Sequence, residues 1–537
     1  MKKTRIALIV GAGALGLIVL SACGGSASST NLPKATFKVA ANTPSWKTDK
    51  SSANLTWYVN YDWFAQKWGK DVATKDITAD THTNITYQAG DDDKLNSMMA
   101  SGKLPDIITL DATDTALISK ASQWAYPLNE LSKQYDPYFM STAAKPSVLS
   151  YYTQSDSNVY GYPSWATTQS DYDKGAVYGN EALMVRKDIY DKIGDPSLKT
   201  PQDVLSALKA VQKLGLKDGA GNKIIPFGTE SIVDQATPQM VSDTIADLAG
   251  IPTTKDGKYY DRYTDPVFKT WMSTLNEAEK DGLTSPDLLT MNGNTNTAQL
   301  QNGSYFMYLE PNINNDEYTL TTPGKYDYIT VDGMNSTAGN KPTIAGPNMQ
   351  GWTMTFISKK CKNPQKAMEL LEYMVSPYGD TVMNFGKLGV SYNMVNGMPT
   401  LIPAYSKLKQ DNPQKYEDTV GLGEHPWVQD SALLNRQVGL TQFPAGVQQA
   451  KQWTTQFVTY EPEMANLNNQ LDDVAQRNLS KINTNWSQTF AKILTAGNNS
   501  AIDSAYSAYD SYKNSNGWST IEKERNKQID YNNSHAK

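Results

Sequence analysis

Cysteine and histidine are almost missing from this chain: 537 residues hold two Cys and three His. The three histidines, His82, His425 and His535, are far apart in sequence, which argues against a histidine-rich zinc or manganese site and against His-based acid/base work. Also lacking are a G-x-S-x-G nucleophile elbow, a Walker A loop and an H-E-x-x-H helix. A basic excess is absent too. Lys and Arg number 49 against 55 Asp and Glu, and the pI is near 5.4, so no surface suits nucleic acid. At 39% hydrophobic and 19% charged residues, with a mean hydropathy of -0.53, the composition is that of a soluble globular protein. Its length allows three to four domains at roughly 150 residues each, or fewer if they are large α/β lobes.

The single apolar run is N-terminal. Lys2, Lys3 and Arg5 precede a 15-residue stretch, Ile6 to Leu20, too short for a spanning helix of about 20 residues but right for an export signal. Leu20-Ser21-Ala22-Cys23 then fits a bacterial lipobox, making residues 1–22 a lipoprotein signal peptide and Cys23 the lipidated residue. Cleavage there removes three basic side chains and no acidic one, which leaves 46 basic against 55 acidic, net -9. With Cys23 acylated, Cys361 has no partner for an intramolecular disulfide. Residues 23–52 are polar and without apolar periodicity, so a flexible, lipid-anchored tether is expected there.

Beyond the tether, strand and helix signals alternate. Residues 54–60 (NLTWYVN), 85–88 and 105–110 carry strand composition, and Tyr61 to Phe64 break the first of these. Asp91-Asp92-Asp93 opens a helix through Leu95, Met98 and Met99 that Gly102 ends. Thr200 caps a second, with Pro201, Asp203 and an apolar face of Val204, Leu205, Leu208 and Val211 up to Gly215. A third opens at Asn363-Pro364, and the last 70 residues keep helical spacing through Leu471, Val474, Ala475, Leu479, Ile482 and Trp486. This order marks α/β architecture with a largely parallel sheet.

Four segments, in order, resemble the bacterial extracellular solute-binding proteins of family 1, sugar-binding components of ABC importers, and especially their long lipoprotein branch. They are DKLNSMMASGKLPDIITLD (93–111), NVYGYPSW (158–165), ALMVRKDIYDKI (182–193) and residues 350–392 with FGKLGVSY. The resemblance implies a two-lobe periplasmic-binding-protein-like (type II) α/β fold with a hinge, an inter-lobe cleft and a helical C-terminal region. By analogy lobe 1 takes 53–165 and 352–388, and lobe 2 takes 166–351 and 389–537. Arg186 resembles a family position, but a structural role inside a lobe is the expectation. Many long-branch relatives carry a calcium loop where this chain has Lys217 to Pro226; one carboxylate, Asp218, remains and Lys223 brings a positive charge, so no metal is expected.

A sugar presents hydroxyls and C–H faces, answered by carboxylates, amides and Arg on one side and flat aromatic rings on the other. The chain holds 12 Trp, 31 Tyr and 11 Phe, and several fall at strand ends. The ligand-binding candidates are Tyr61, Asp62, Trp63, Asp111, Trp165, Glu230, Glu310, Asn312, Trp352 and, by family analogy, Arg436. Nothing in the sequence specifies catalysis. The expectation is a non-enzymatic, monomeric receptor without cofactor, lipid-anchored on the extracytoplasmic membrane face, that passes a carbohydrate, an oligosaccharide, to an ABC permease. The alternatives are an oligopeptide receptor of an ABC importer and an exported glycoside hydrolase, since carboxylates such as Asp111, Glu230 and Glu310 could flank a glycosidic bond.

Overall fold

The computed structural model describes residues 32–535 except 176, 231–236, 286, 314–319, 323–325, 333–339 and 441–442. The expected signal peptide, Cys23 and residues up to 31 lie outside the described residues. Two five-stranded sheets organise the rest, both within one compact unit of residues 34–537.

The first sheet runs, in spatial order, Thr83–Ala89, Ala53–Val59, Ile107–Asp111, Thr353–Ile357, Gly161–Pro163. Its first three strands are parallel, whereas Thr353–Ile357 is antiparallel to both of its neighbours, so the sheet is mixed where a largely parallel one was expected. The reason is connectivity: Thr353–Ile357 returns to the sheet after a long excursion and enters from the edge at which the parallel strands end. The second sheet orders Thr321–Thr322, Tyr326–Thr330, Ala182–Arg186, Tyr305–Glu310, Ile225–Thr229, and only its last pair is parallel.

Helices form where their caps are written. Asp91 accepts the Lys94 amide at the start of Asp92–Ser101, and Gly102 closes that helix in the left-handed region. Thr200 and Asp203 make a reciprocal capping box for Pro201–Leu214, whose apolar face joins the core of the second lobe. Arg186 is structural, as expected: it grips Asp188 at 2.7 Å and the Gly303 carbonyl. In the loop at Lys217 to Lys223, Asp218 accepts the Ala220 and Asn222 amides at 2.9 and 2.8 Å and the Ser304 hydroxyl at 2.7 Å. The carboxylate thus ties the turn together. Among the described residues no helix is long and apolar enough to cross a membrane.

Two further expectations need correction. The tether does not extend to residue 52. Thr36 donates to Gln365 at 3.0 Å through its amide, Ser45 to Asp136 at 3.1 Å, and Gln365 to Asp49 at 2.9 Å. Trp46 stacks on Tyr378 and meets the edge of Tyr373, with ring centroids 5.6 and 5.1 Å away. One buried tryptophan removes about 150–250 Å² from water, enough to order a segment that shows no periodicity. Residues 34–52 therefore form a strap on the helix Pro364–Val375.

The second correction concerns residues 389–438, assigned by analogy to lobe 2. They pack on the first-sheet side: Tyr416, Val420 and Leu422 share a small core with Ala73 of the helix Val72–Thr81. The Val420 carbonyl also accepts the Val72 amide at 3.1 Å. The helix Ala445–Thr454 and those that follow belong to the second sheet and its core.

Candidate ligand-binding site

One edge of the first sheet collects most of the predicted residues, because parallel strands end where the antiparallel return strand begins. Ala53–Val59 ends and delivers Tyr61, Asp62 and Trp63; Ile107–Asp111 ends on Asp111. Thr353 pairs with Asp111, which sets Trp352 at the same edge, and Met354 pairs with Pro163, which sets Trp165 there too. The return is tight. Gly351 has φ of +69°, and a Cβ on it would lie 2.2 Å from the Ser164 carbonyl oxygen, so only glycine fits.

The rings meet. Trp63 and Trp352 are parallel within 6° at 6.4 Å, Tyr61 lies 5.3 Å from Trp63 and 5.5 Å from Trp352, and Trp165 lies 4.9 Å from Trp352. A fifth ring, Trp427, stacks on Tyr61 at 5.9 Å from beneath and is fully buried. Trp63 is the most exposed of the rings, at 60%, while Tyr61, Trp165 and Trp352 are half-buried. Asp111 accepts the Tyr61 hydroxyl at 2.7 Å and holds that ring in place; burial first, and then this carboxylate, push the phenol well above its ordinary range. Asp62 is exposed at the rim. Asp114 stands beside Asp111, and burial together with Asp92 and Asp111 pushes its carboxyl up to about 7.

Trp165 has φ of +59°, a left-handed conformation uncommon for a bulky residue, and Gln429 holds it there twice. The Trp165 amide donates to the Gln429 carbonyl at 2.8 Å and its indole N–H to the Gln429 side-chain oxygen at 2.9 Å. Trp165 also opens onto a cavity of about 1060 Å³. Its walls come from both sheets' surroundings: Asn180 and Lys451 on one side, Asn384, Phe385, Gln429 and Asn435 on the other, with Met398 and Leu401 of a hairpin at Tyr392–Leu401. Five side-chain amides line it: Asn180, Asn384, Gln410, Gln429 and Asn435.

The remaining candidates stand apart. Glu230 follows the strand Ile225–Thr229 and is half-buried; Glu310 ends its strand and accepts the Asn312 amide at 2.7 Å. These three belong to the second sheet, outside the ring cluster. Arg436 donates to Asp171 at 3.1 Å, and Asp171 pairs with Lys145, which reaches Asp430 at 2.8 Å. That network ties the helix Ser431–Val438 to the helix Gln169–Asp173 and to Lys145 at the start of the helix Pro146–Tyr151, and it gives Arg436 an ion pair away from the ring cluster. Sequence reasoning missed Trp427, Gln429 and the amide wall, since single Asn and Gln residues carry no pattern and Trp427 lies in a connector far along the chain.

The family profile for bacterial extracellular solute-binding proteins matches residues 61–380. The chain belongs to that family. The match places this protein among extracytoplasmic binding proteins. Solved structures share its fold over most of its length. The alginate-binding protein AlgQ2, without calcium, is 17% identical, with a TM-score of 0.65 over 90% of this chain and 99% of its own. An HMO-binding, ABC-transporter-associated solute-binding protein from Bifidobacterium longum infantis is 15% identical, with a TM-score of 0.64 over 90% and 100%. The Streptococcus pneumoniae substrate-binding protein FusA, in complex with kestose, is 17% identical, with a TM-score of 0.62 over 90% and 99%. These likenesses establish the two-lobed α/β fold. No curated protein matches the sequence.

Proposed function

We propose that this solute-binding protein captures an oligosaccharide between its lobes and delivers it to the permease of an ABC importer, anchored by lipid at Cys23. The observation that carries this reading is the convergence of four aromatic rings on Trp352, one of them Trp165, which also walls an amide-lined cavity. Ring faces suit sugar C–H patches, and amides pair with hydroxyls in both directions. A volume of about 1060 Å³ lies at the top of the usual ~300–1,000 Å³ for ligand sites, which favours several sugar units over one. Relatives of the same fold named for alginate, HMO and kestose support the class. Lobe 1 is 53–165 with 352–438, and lobe 2 is 166–351 with 439–537.

Calorimetric titration of the soluble body against alginate oligomers, kestose and Man5GlcNAc tests the proposal: one sugar binds at about micromolar affinity and is recovered intact. Absence of binding across such a panel, or cleavage of the sugar, refutes it. Trp63→Ala costs more than ~1.4 kcal/mol, tenfold in affinity, and leaves the melting temperature nearly unchanged because its ring is largely exposed already. In cells, Cys23→Ser releases the protein from the membrane fraction or leaves it unprocessed; unchanged detergent partitioning overturns the anchor.

A further inference from the structure

We infer that His425 and Asp71 are positioning residues for the ligand site, latching the connector 420–430 to the first lobe so that it presents Trp427 and Gln429. The inference rests on the ring cluster and cavity being that site. The connector has no helix or strand of its own, yet it touches every part of the site. Glu424 and Gln429 line the cavity, Trp427 underlies Tyr61, and Gln429 holds Trp165. Such a segment is placed by its fastenings.

The fastenings at its first half converge on Asp71. This residue caps the helix Val72–Thr81 by accepting the Thr74 amide at 2.7 Å, and its other oxygen faces His425 Nε2 at 3.5 Å. Both side chains are buried. His425 Nδ1 meets the Tyr87 hydroxyl at 3.3 Å, and the two rings stack with centroids 5.9 Å apart. Gly421 lies so close that a Cβ there would sit 2.6 Å from the Asp71 side chain. Burial pushes the Asp71 carboxyl up, but His425 and the Thr74 contacts outweigh it and hold the group below its usual range. Neither residue lines the cavity. They act through Trp427, two residues on, whose carbonyl accepts the Thr355 hydroxyl at 2.9 Å.

The test uses the full soluble body with two readouts. Without ligand, the indole N–H resonances of Trp165 and Trp427 shift or broaden in His425→Ala, while that of Trp486 in the second lobe core stays in place. With the panel sugar that the wild type binds most tightly, His425→Ala loses about tenfold or more in affinity at temperatures where it is folded. His425→Gln, which can present a nitrogen toward Asp71, recovers both readouts, whereas a merely structural site would show lowered stability with unchanged affinity and indole signals. If His425→Ala does not fold, Asp71→Asn, which keeps the helix cap, takes its place. Unmoved indole resonances or wild-type affinity in a folded variant overturn the latch. A wild type that binds no panel sugar overturns the carbohydrate reading, and the ligand-free resonances then decide the latch alone.

Discussion

Replacing Trp46 with alanine is expected to lower the unfolding free energy by about 3–5 kcal/mol and to free residues 34–52 from the body. Trp46 is the one large apolar anchor of the strap, clamped between Tyr378 and Tyr373, and only 8% of it is exposed. The other fastenings are polar, Thr36 with Gln365, Ser45 with Asp136 and the Tyr135 carbonyl, and Asp49 with Gln365 and Lys366; at about 0.5–1.5 kcal/mol for each hydrogen bond they do not offset an ordering cost of about 1–2 kcal/mol per residue over a segment of this length. Chemical denaturation and proteolysis together check this: the variant unfolds at lower urea and is cut within 34–52 while the body stays intact. A variant with wild-type stability and a protected strap shows that the polar contacts suffice.

The second expected result is a stability that falls as pH rises from about 5 to 9, the reverse of common acid denaturation. Where the strap meets the body, four carboxyls are buried: Asp49 of the strap itself, with Asp136, Glu369 and Glu372 under it; Lys366 touches Glu369 at 2.7 Å and Asp49 at 3.6 Å. Burial raises three of them: Asp136 to about 7, Glu369 to about 8 and Glu372 to about 9, the last helped by the nearby Asp136 charge. Folded values above unfolded ones mean that the folded chain holds more protons. Their contribution is therefore full below the unfolded carboxyl range and is lost as pH climbs through the folded values. Asp49 works oppositely. Burial raises it, but Ser51, Glu369 and Gln365 bonds hold it at about 2, so its contribution fades only in strong acid. Stability should peak near pH 4–5, and Glu372 alone should cost about 3 kcal/mol between pH 5 and 7. Urea titrations at pH 5, 7 and 9 measure the slope, and Glu372→Gln should flatten it; a stability that rises over that range contradicts the buried cluster.

What could be read from the sequence follows from how local each signal is. Helices with written caps, such as Pro201–Leu214 and Pro364–Val375, were legible because cap, proline and apolar face lie within a few residues. The C-terminal helices followed from spacing alone, although Val474 turns out to face solvent and Leu471 precedes the helix. The helix Val72–Thr81 (VATKDITADT) escaped notice: it is rich in threonine and shows little amphipathicity, and its packing on later segments makes it. At the site, Tyr61, Trp63, Asp111, Trp165 and Trp352 were legible as strand ends of one sheet. Trp427 and His425 were not, because Tyr61 and Tyr87, on which they stack, lie more than 330 residues earlier in the chain.

The docked strap also sets a leash length. For a chain fixed at Cys23, a free tether to Ala53 could stretch to about 100 Å, but a fastening at Thr36 caps the span at about 45 Å. The volume within reach shrinks about tenfold, and under the proposed anchoring the effective concentration of the protein beside the proposed permease rises by the same factor. Undoing the strap would thus pay out line, trading encounter frequency at the membrane for a wider search of the space beyond it.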